Sequence, residues 1–177
     1  MVRVERFALL ALFVILVPVT SFADNATVDS AGKSWVMGGE YNSLAYGPTE
    51  TIAMDDNEIV ITPWLVLATP QKIEFGLTID GLYSGHCQPQ VSTMYDVLLV
   101  EDTKIAFSIN CSSESQALIF KPLSELGNKY LINQFEQLHK VRFQHLAEGV
   151  HWTHSATNFS DIWRVISSWK NLLHQAL

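Results

Sequence analysis

The sequence predicts an α+β domain: an antiparallel, twisted sheet of six or more strands packed against one or two helices, the last of them a C-terminal amphipathic helix. Three observations carry that prediction. Residues 72–79 alternate strictly, so Ile73, Phe75, Leu77 and Ile79 share one face of a half-buried strand. At Pro122 the period changes, and Leu123, Leu126, Tyr130, Leu131, Phe135 and Leu138 recur largely at three- and four-residue spacing. The chain closes on Ile162, Ile166, Trp169 and Leu173, a single apolar stripe at helical spacing, widened by Trp163, Leu172 and Leu177.

Residues 1–23 have the three parts of a secretory leader. Arg3 and Arg6 supply positive charge, residues 7–19 are an apolar run interrupted only by Pro18, and Ser21 and Ala23 are the small residues a signal peptidase reads. The run falls short of the roughly 20 residues a membrane helix needs. The expectation is cleavage after Ala23, a periplasmic or secreted protein, and no stable membrane insertion once the leader is gone. Residues 24–33 are small and polar and read as a flexible arm. Residues 34–177 then form one globular domain, long enough to bury a sizeable core.

The first strand begins in residues 34–37, and Gly38-Gly39, Tyr46-Gly47-Pro48 and Asp55-Asp56-Asn57 are turn signals. Residues 58–62 and 64–68 are two β-branched and aromatic runs split by Pro63, whose missing N–H suggests an edge or a bulge. Asp80-Gly81 closes the alternating strand. Residues 94–100 and 104–110 read as a hairpin around Glu101-Asp102-Thr103, and residues 116–120 as one more strand. The helix predicted over residues 123–138 has Pro122 at its start and Gly127 as a weak point, about 1 kcal/mol worse than Ala. Residues 140–145 alternate again, with Val141 and Phe143 inward. Asn158 or Ser160 can cap the last helix, and Asp161 suits its first turn. The expected core is Ile73, Phe75, Leu77, Ile79, Leu98, Ile105, Phe107, Leu126 and Ile166.

Eleven Lys and Arg against 18 Asp and Glu leave a formal charge of −7. With no basic cluster to neutralise phosphates, nucleic-acid binding is excluded. The last helix offers only Arg164 and Lys170 as fixed positive charges, unlike the basic face of a membrane-surface helix. No G-x-S-x-G and no Gly-rich phosphate loop is present. Ser167 and Lys170 match S-x-x-K, but the companion S-D-N and K-T-G elements of that chemistry are missing, and both residues are expected to face solvent. The carboxylates, Asp55, Asp56, Glu58, Asp80, Asp96, Glu101 and Asp102, read mostly as turn residues, where local hydrogen bonding explains them. His139, His145, His151 and His154 lie close in sequence, and imidazole is the commonest metal ligand. Their spacing matches no zinc motif, so they read as surface histidines, and no metal or cofactor is expected.

What remains is binding. Of the five tryptophans, Trp152 stands in a polar, His-containing segment and is the candidate exposed aromatic; such residues anchor interfaces. The expected function is therefore an exported, non-enzymatic binding protein of accessory, inhibitor or immunity type that docks another periplasmic or envelope protein. Its contact residues would be His86 and Gln88 on one loop and His151, Trp152 and His154 on another. One alternative is a lipid- or peptide-binding protein with a pocket between sheet and helix. A second is a metal-dependent or hydrolytic enzyme.

Cys87 and Cys111 are the two cysteines. In an oxidising compartment an isolated pair forms a disulfide, worth roughly 3 kcal/mol for a loop of this length in the chain-entropy model. Alkylation of native protein without reductant should leave both thiols unlabelled, and reduction should expose both. Labelling before reduction removes the bridge.

Overall fold

The computed structural model describes residues 34–39, 43–54, 57–81, 93–112 and 117–175. The expected leader and arm, and the loop with His86, Cys87 and Gln88, lie outside the described residues. The elements are β1 (Val36–Gly38), β2 (Leu44–Tyr46), β3 (Glu50–Met54), β4 (Asn57–Thr69), β5 (Lys72–Asp80), β6 (Met94–Val100), β7 (Thr103–Cys111), β8 (Leu118–Pro122), α1 (Glu125–Gln137), β9 (Lys140–His145), β10 (His151–Ser155) and α2 (Phe159–Gln175). The strands form one antiparallel sheet in the order β1-β2-β4-β5-β8-β7-β6-β9-β10, with β3 paired to β4 beside this path.

This corrects the predicted architecture. Strand accounts for 53% and helix for 24% of the described residues, and the sheet curls into a half-barrel instead of lying under helices as a layer. The physical reason is a mismatch of areas. Ten strands present apolar side chains to one face, and two helices cannot cover that much surface. Accumulated strand twist lets the sheet cover itself, leaving the helices to fill one end.

β4 shows how the long strands are served. It is one strand of 13 residues where the composition suggested two. On one side it pairs β5 along most of its length, with a register shift between Leu67 and Thr69. On the other, β3 takes its first part up to Ile61 and β2 begins at Trp64. Pro63 falls at the changeover. Its carbonyl accepts from the Gly47 N–H at 2.8 Å, and the N–H it lacks would have pointed to the same side, between the stretches that pair with β3 and β2.

At the filled end Trp35 stands edge-on to Phe159 (4.8 Å between ring centroids) and to Phe135 (5.3 Å), and Phe135 stacks on Phe159 at 5.2 Å. α1 is capped by Ser124, whose hydroxyl accepts from the Gly127 N–H. Its buried face carries Asn128, Leu131, Ile132 and Phe135. The Asn128 amide donates to the Ile73 carbonyl at 2.8 Å and accepts from the Phe75 N–H at 2.7 Å. β8 pairs β5 only from Leu77 to Ile79, so Asn128 completes the ladder where the neighbouring strand stops. Of the expected core, Leu126 is the exception, 78% exposed on the outer face of α1, while the other eight are buried. Gly127 also has a packing role. A Cβ there would come within 3.1 Å of Ile105 Cγ2, so its absence lets α1 close on β7. No helix among the described residues is long and apolar enough to cross a membrane.

The two ends of the sheet approach one another without a ladder. The Trp35 N–H donates to the Thr157 carbonyl (2.9 Å), its indole Nε1–H to the Ser155 carbonyl (3.1 Å), and Asn158 Nδ2 to the Trp35 carbonyl (3.0 Å). Asn158 adopts φ 68°, a left-handed conformation that Asn tolerates better than most residues. Trp35→Phe keeps the aromatic core but orphans the Ser155 carbonyl and leaves a void. It should cost roughly 2–4 kcal/mol in urea unfolding; a loss under 1 kcal/mol would show that the seam does not hold the curl.

Candidate functional site

Side-chain volume is unevenly distributed along the half-barrel. The helix-filled end receives Trp and Phe. The other end receives mainly branched aliphatics: Ile59 and Ile61 of β4, Ile79 of β5, Ile109 of β7 and Leu118 of β8, with Phe120 and Trp152 the two aromatic rings in the wall. These side chains are stiff at Cβ or short and do not meet across the curl. They enclose a cavity of about 340 Å³, to which Met94 and Leu98 of β6 and Ile52 of β3 also contribute. Among the described residues its lining comes from strands and the β9–β10 turn, with none from a helix. This pocket is thus inside the curl, whereas the ligand-binding alternative placed one between sheet and helix.

One polar pair interrupts the apolar wall. On β6 the cavity-facing row is Met94, Asp96, Leu98, and on β9 the inward row Val141, Phe143 continues to His145. The register sets Leu98 opposite His145, so Asp96 lies on the diagonal, within reach of long side chains. His145 Nε2 is 2.6 Å from Asp96 Oδ2. The Glu148 N–H donates to His145 Nδ1 at 3.2 Å, which puts the ring proton on Nε2, donating to Asp96. The other Asp96 oxygen accepts from the Val97 N–H at 2.6 Å. The two side chains are 27% and 23% exposed, at the cavity mouth, with Glu148 at the rim. The sequence reading placed Asp96 among turn carboxylates and His145 among surface histidines. The missed signal was their place in alternating runs, both on the apolar side.

β10 sorts the predicted contact residues by its two-residue period. His151 and Thr153 face outward; Trp152 and His154 face in. Trp152 is only 6% exposed, stacked on Phe143 at 5.6 Å and 8°. The expectation of an exposed aromatic is therefore corrected: Trp152 is wall, not protrusion. Its Nε1–H donates to His154 Nε2 at 3.1 Å, and His154 Nδ1–H donates to the Pro48 carbonyl at 3.1 Å. His154 is fully buried, and burial pushes its pKa down to about 4 against the opposing pull of the Pro48 carbonyl. It is held neutral and orients the Trp152 ring. His139 is exposed beyond α1. Among the described residues no three His, Cys, Asp or Glu side chains converge as metal ligands would. Ser167 and Lys170 are half-buried, where solvent exposure was expected, and the Ser167 Oγ is buried with no hydrogen-bond partner among the described residues. Cys111 ends β7 half-buried; with Cys87 outside the described residues, the bridge stays a proposal.

His154 makes stability pH-dependent. Its folded pKa of about 4 lies below the ordinary 6.5, so the unfolded chain binds the extra proton first as pH falls. The contribution is fully present above pH 6.5 and is lost towards pH 4, about 3 kcal/mol in all. Urea midpoints across this window should show that decline, flattened in His154→Phe. A variant as pH-sensitive as the native protein would remove the assignment.

Comparison with family models, with curated proteins and with solved structures finds no match to this chain, so the functional reading rests on its geometry.

Proposed function

We propose that this is an exported, non-enzymatic binding protein that holds one small apolar ligand, such as a single-chain lipid, inside the half-barrel. The observation that carries the reading is the cavity of about 340 Å³, walled mainly by aliphatic and aromatic side chains and open at a polar mouth. Its size lies in the range typical of small-molecule sites. At roughly 30 Å³ per water-sized group, it has room for about ten or eleven methylenes. An apolar cavity gains nothing from water and much from an apolar guest.

Docking of another envelope protein is the second reading. Trp152 does not support it as an outward anchor, but Tyr95 and Val97, 67% and 38% exposed on β6, form a small apolar patch that a partner could cover. A single envelope protein retained in a pull-down and lost with Tyr95→Ser would shift the weight there.

The neutral dye N-phenyl-1-naphthylamine tests the first reading. Purified protein should take it up saturably, with brightened emission. Met94→Trp, which puts bulk at the half-buried mouth, should weaken uptake about tenfold or more, equivalent to about 1.4 kcal/mol, at an unchanged melting temperature. Native protein that does not brighten the dye overturns the proposal.

A further inference from the structure

We infer that the cavity selects a ligand whose polar end is a hydrogen-bond donor, in particular a primary ammonium, and rejects carboxylate and phosphate ends; this rests on the apolar-ligand reading above. The donors and acceptors at the mouth are unequally used. Among the described residues, four in the lining carry polar side chains: Asp96, His145, Glu148 and Trp152. The His145 Nε2–H is taken by Asp96, and the Trp152 Nε1–H by His154. The remaining imidazole nitrogen, Nδ1, accepts from the Glu148 N–H. Among the described residues, every side-chain N–H on the wall is therefore already donating.

The acceptors are not exhausted. An ionised carboxylate offers about four lone-pair sites, and Asp96 uses one on each oxygen, for His145 and for Val97. Glu148, exposed at the rim, can accept only. A ligand head that donates finds two carboxylates. A carboxylate or phosphate head finds like charge and, among the described residues, no free side-chain donor, and losing its hydration without replacement is costly. The protein's formal charge of −7 acts in the same direction. Asp96 is also not free to turn away, because both of its oxygens are held.

Three probes of equal chain length separate the possibilities: decylamine, decan-1-ol and decanoate, each displacing N-phenyl-1-naphthylamine from purified protein at pH 7. Decylamine should displace the dye at a concentration at least about tenfold below decanoate, with decan-1-ol between them. Glu148→Gln, at an exposed position, should narrow the ratio. Asp96→Asn combined with Glu148→Gln should bring it within about threefold and leave decan-1-ol unchanged. Glu125→Gln, on α1 and paired with Lys129, should leave the ratio as it is; a fall there would assign the preference to overall charge and overturn the inference. So would decanoate binding as well as decylamine, or a ratio unmoved in the double variant. If none of the three displaces the dye, or the dye itself does not bind, the cavity reading fails first and this one with it. Binding of decan-1-ol without amine preference overturns only the inference.

Discussion

The curl of the sheet depends on a seam. A sheet ending in β1 on one side and β10 on the other would expose two edges, and edges invite pairing with other chains. Here the ends are drawn together by single hydrogen bonds through Trp35, Asn158 and His154 to backbone carbonyls. Those bonds are placed where burial strengthens them. Trp35 and His154 are fully buried, so failing to make the bonds would strand polar groups away from water. The seam therefore holds less by the worth of each bond than by the cost of leaving it unmade.

From the seam the rest of the interior follows. Trp35 brings β1 onto the rings of Phe135 and Phe159, which fixes α1 and α2 at that end. His154 brings β10 against the β2–β3 connection at Pro48 and, through Trp152, sets one wall of the cavity. Structural closure and candidate site thus share one side chain. A guest in the cavity would pack against Trp152, and by linkage anything that binds only the closed form stabilises it. The outer face needs no such device. Trp64 lies over Gly76, where a Cβ would come within 2.2 Å of the indole, and donates to Thr78 Oγ1. Lys121 lies 5.6 Å above the same ring and pairs with Glu74, covering this apolar surface.

The sequence made individual elements legible and left their curvature hidden. The alternation of residues 72–79 and 140–145 gives both strands with their inward faces, because a period of two is a local property. Alternation says which face is apolar, not whether the strands share an interior with one another or with helices. That choice depends on the ratio of strand to helix surface and on the seam, whose partners lie far apart in sequence, as Trp35 and Ser155 do. Leu126 failed as a core residue for a nearer reason. Ser124 caps α1 and fixes its phase, and Asn128 takes the inward position to complete β5. Helical spacing alone could not have put an amide there.

The site was hidden by a habit of reading polar residues as surface residues. Asp96, His145 and His154 each occupy the apolar phase of a strand. A polar residue in that phase must find a partner inside or stand at an opening. His154 does the first: it sits between an indole N–H and a carbonyl, a fully satisfied neutral imidazole. Asp96 and His145 do the second: their internal bonds are complete, yet both remain partly exposed at the cavity mouth. A pair built only for stability would lose little by replacement with apolar neighbours. Kept partly exposed at an opening beside an apolar hollow, the same pair could meet a donor carried on an apolar chain.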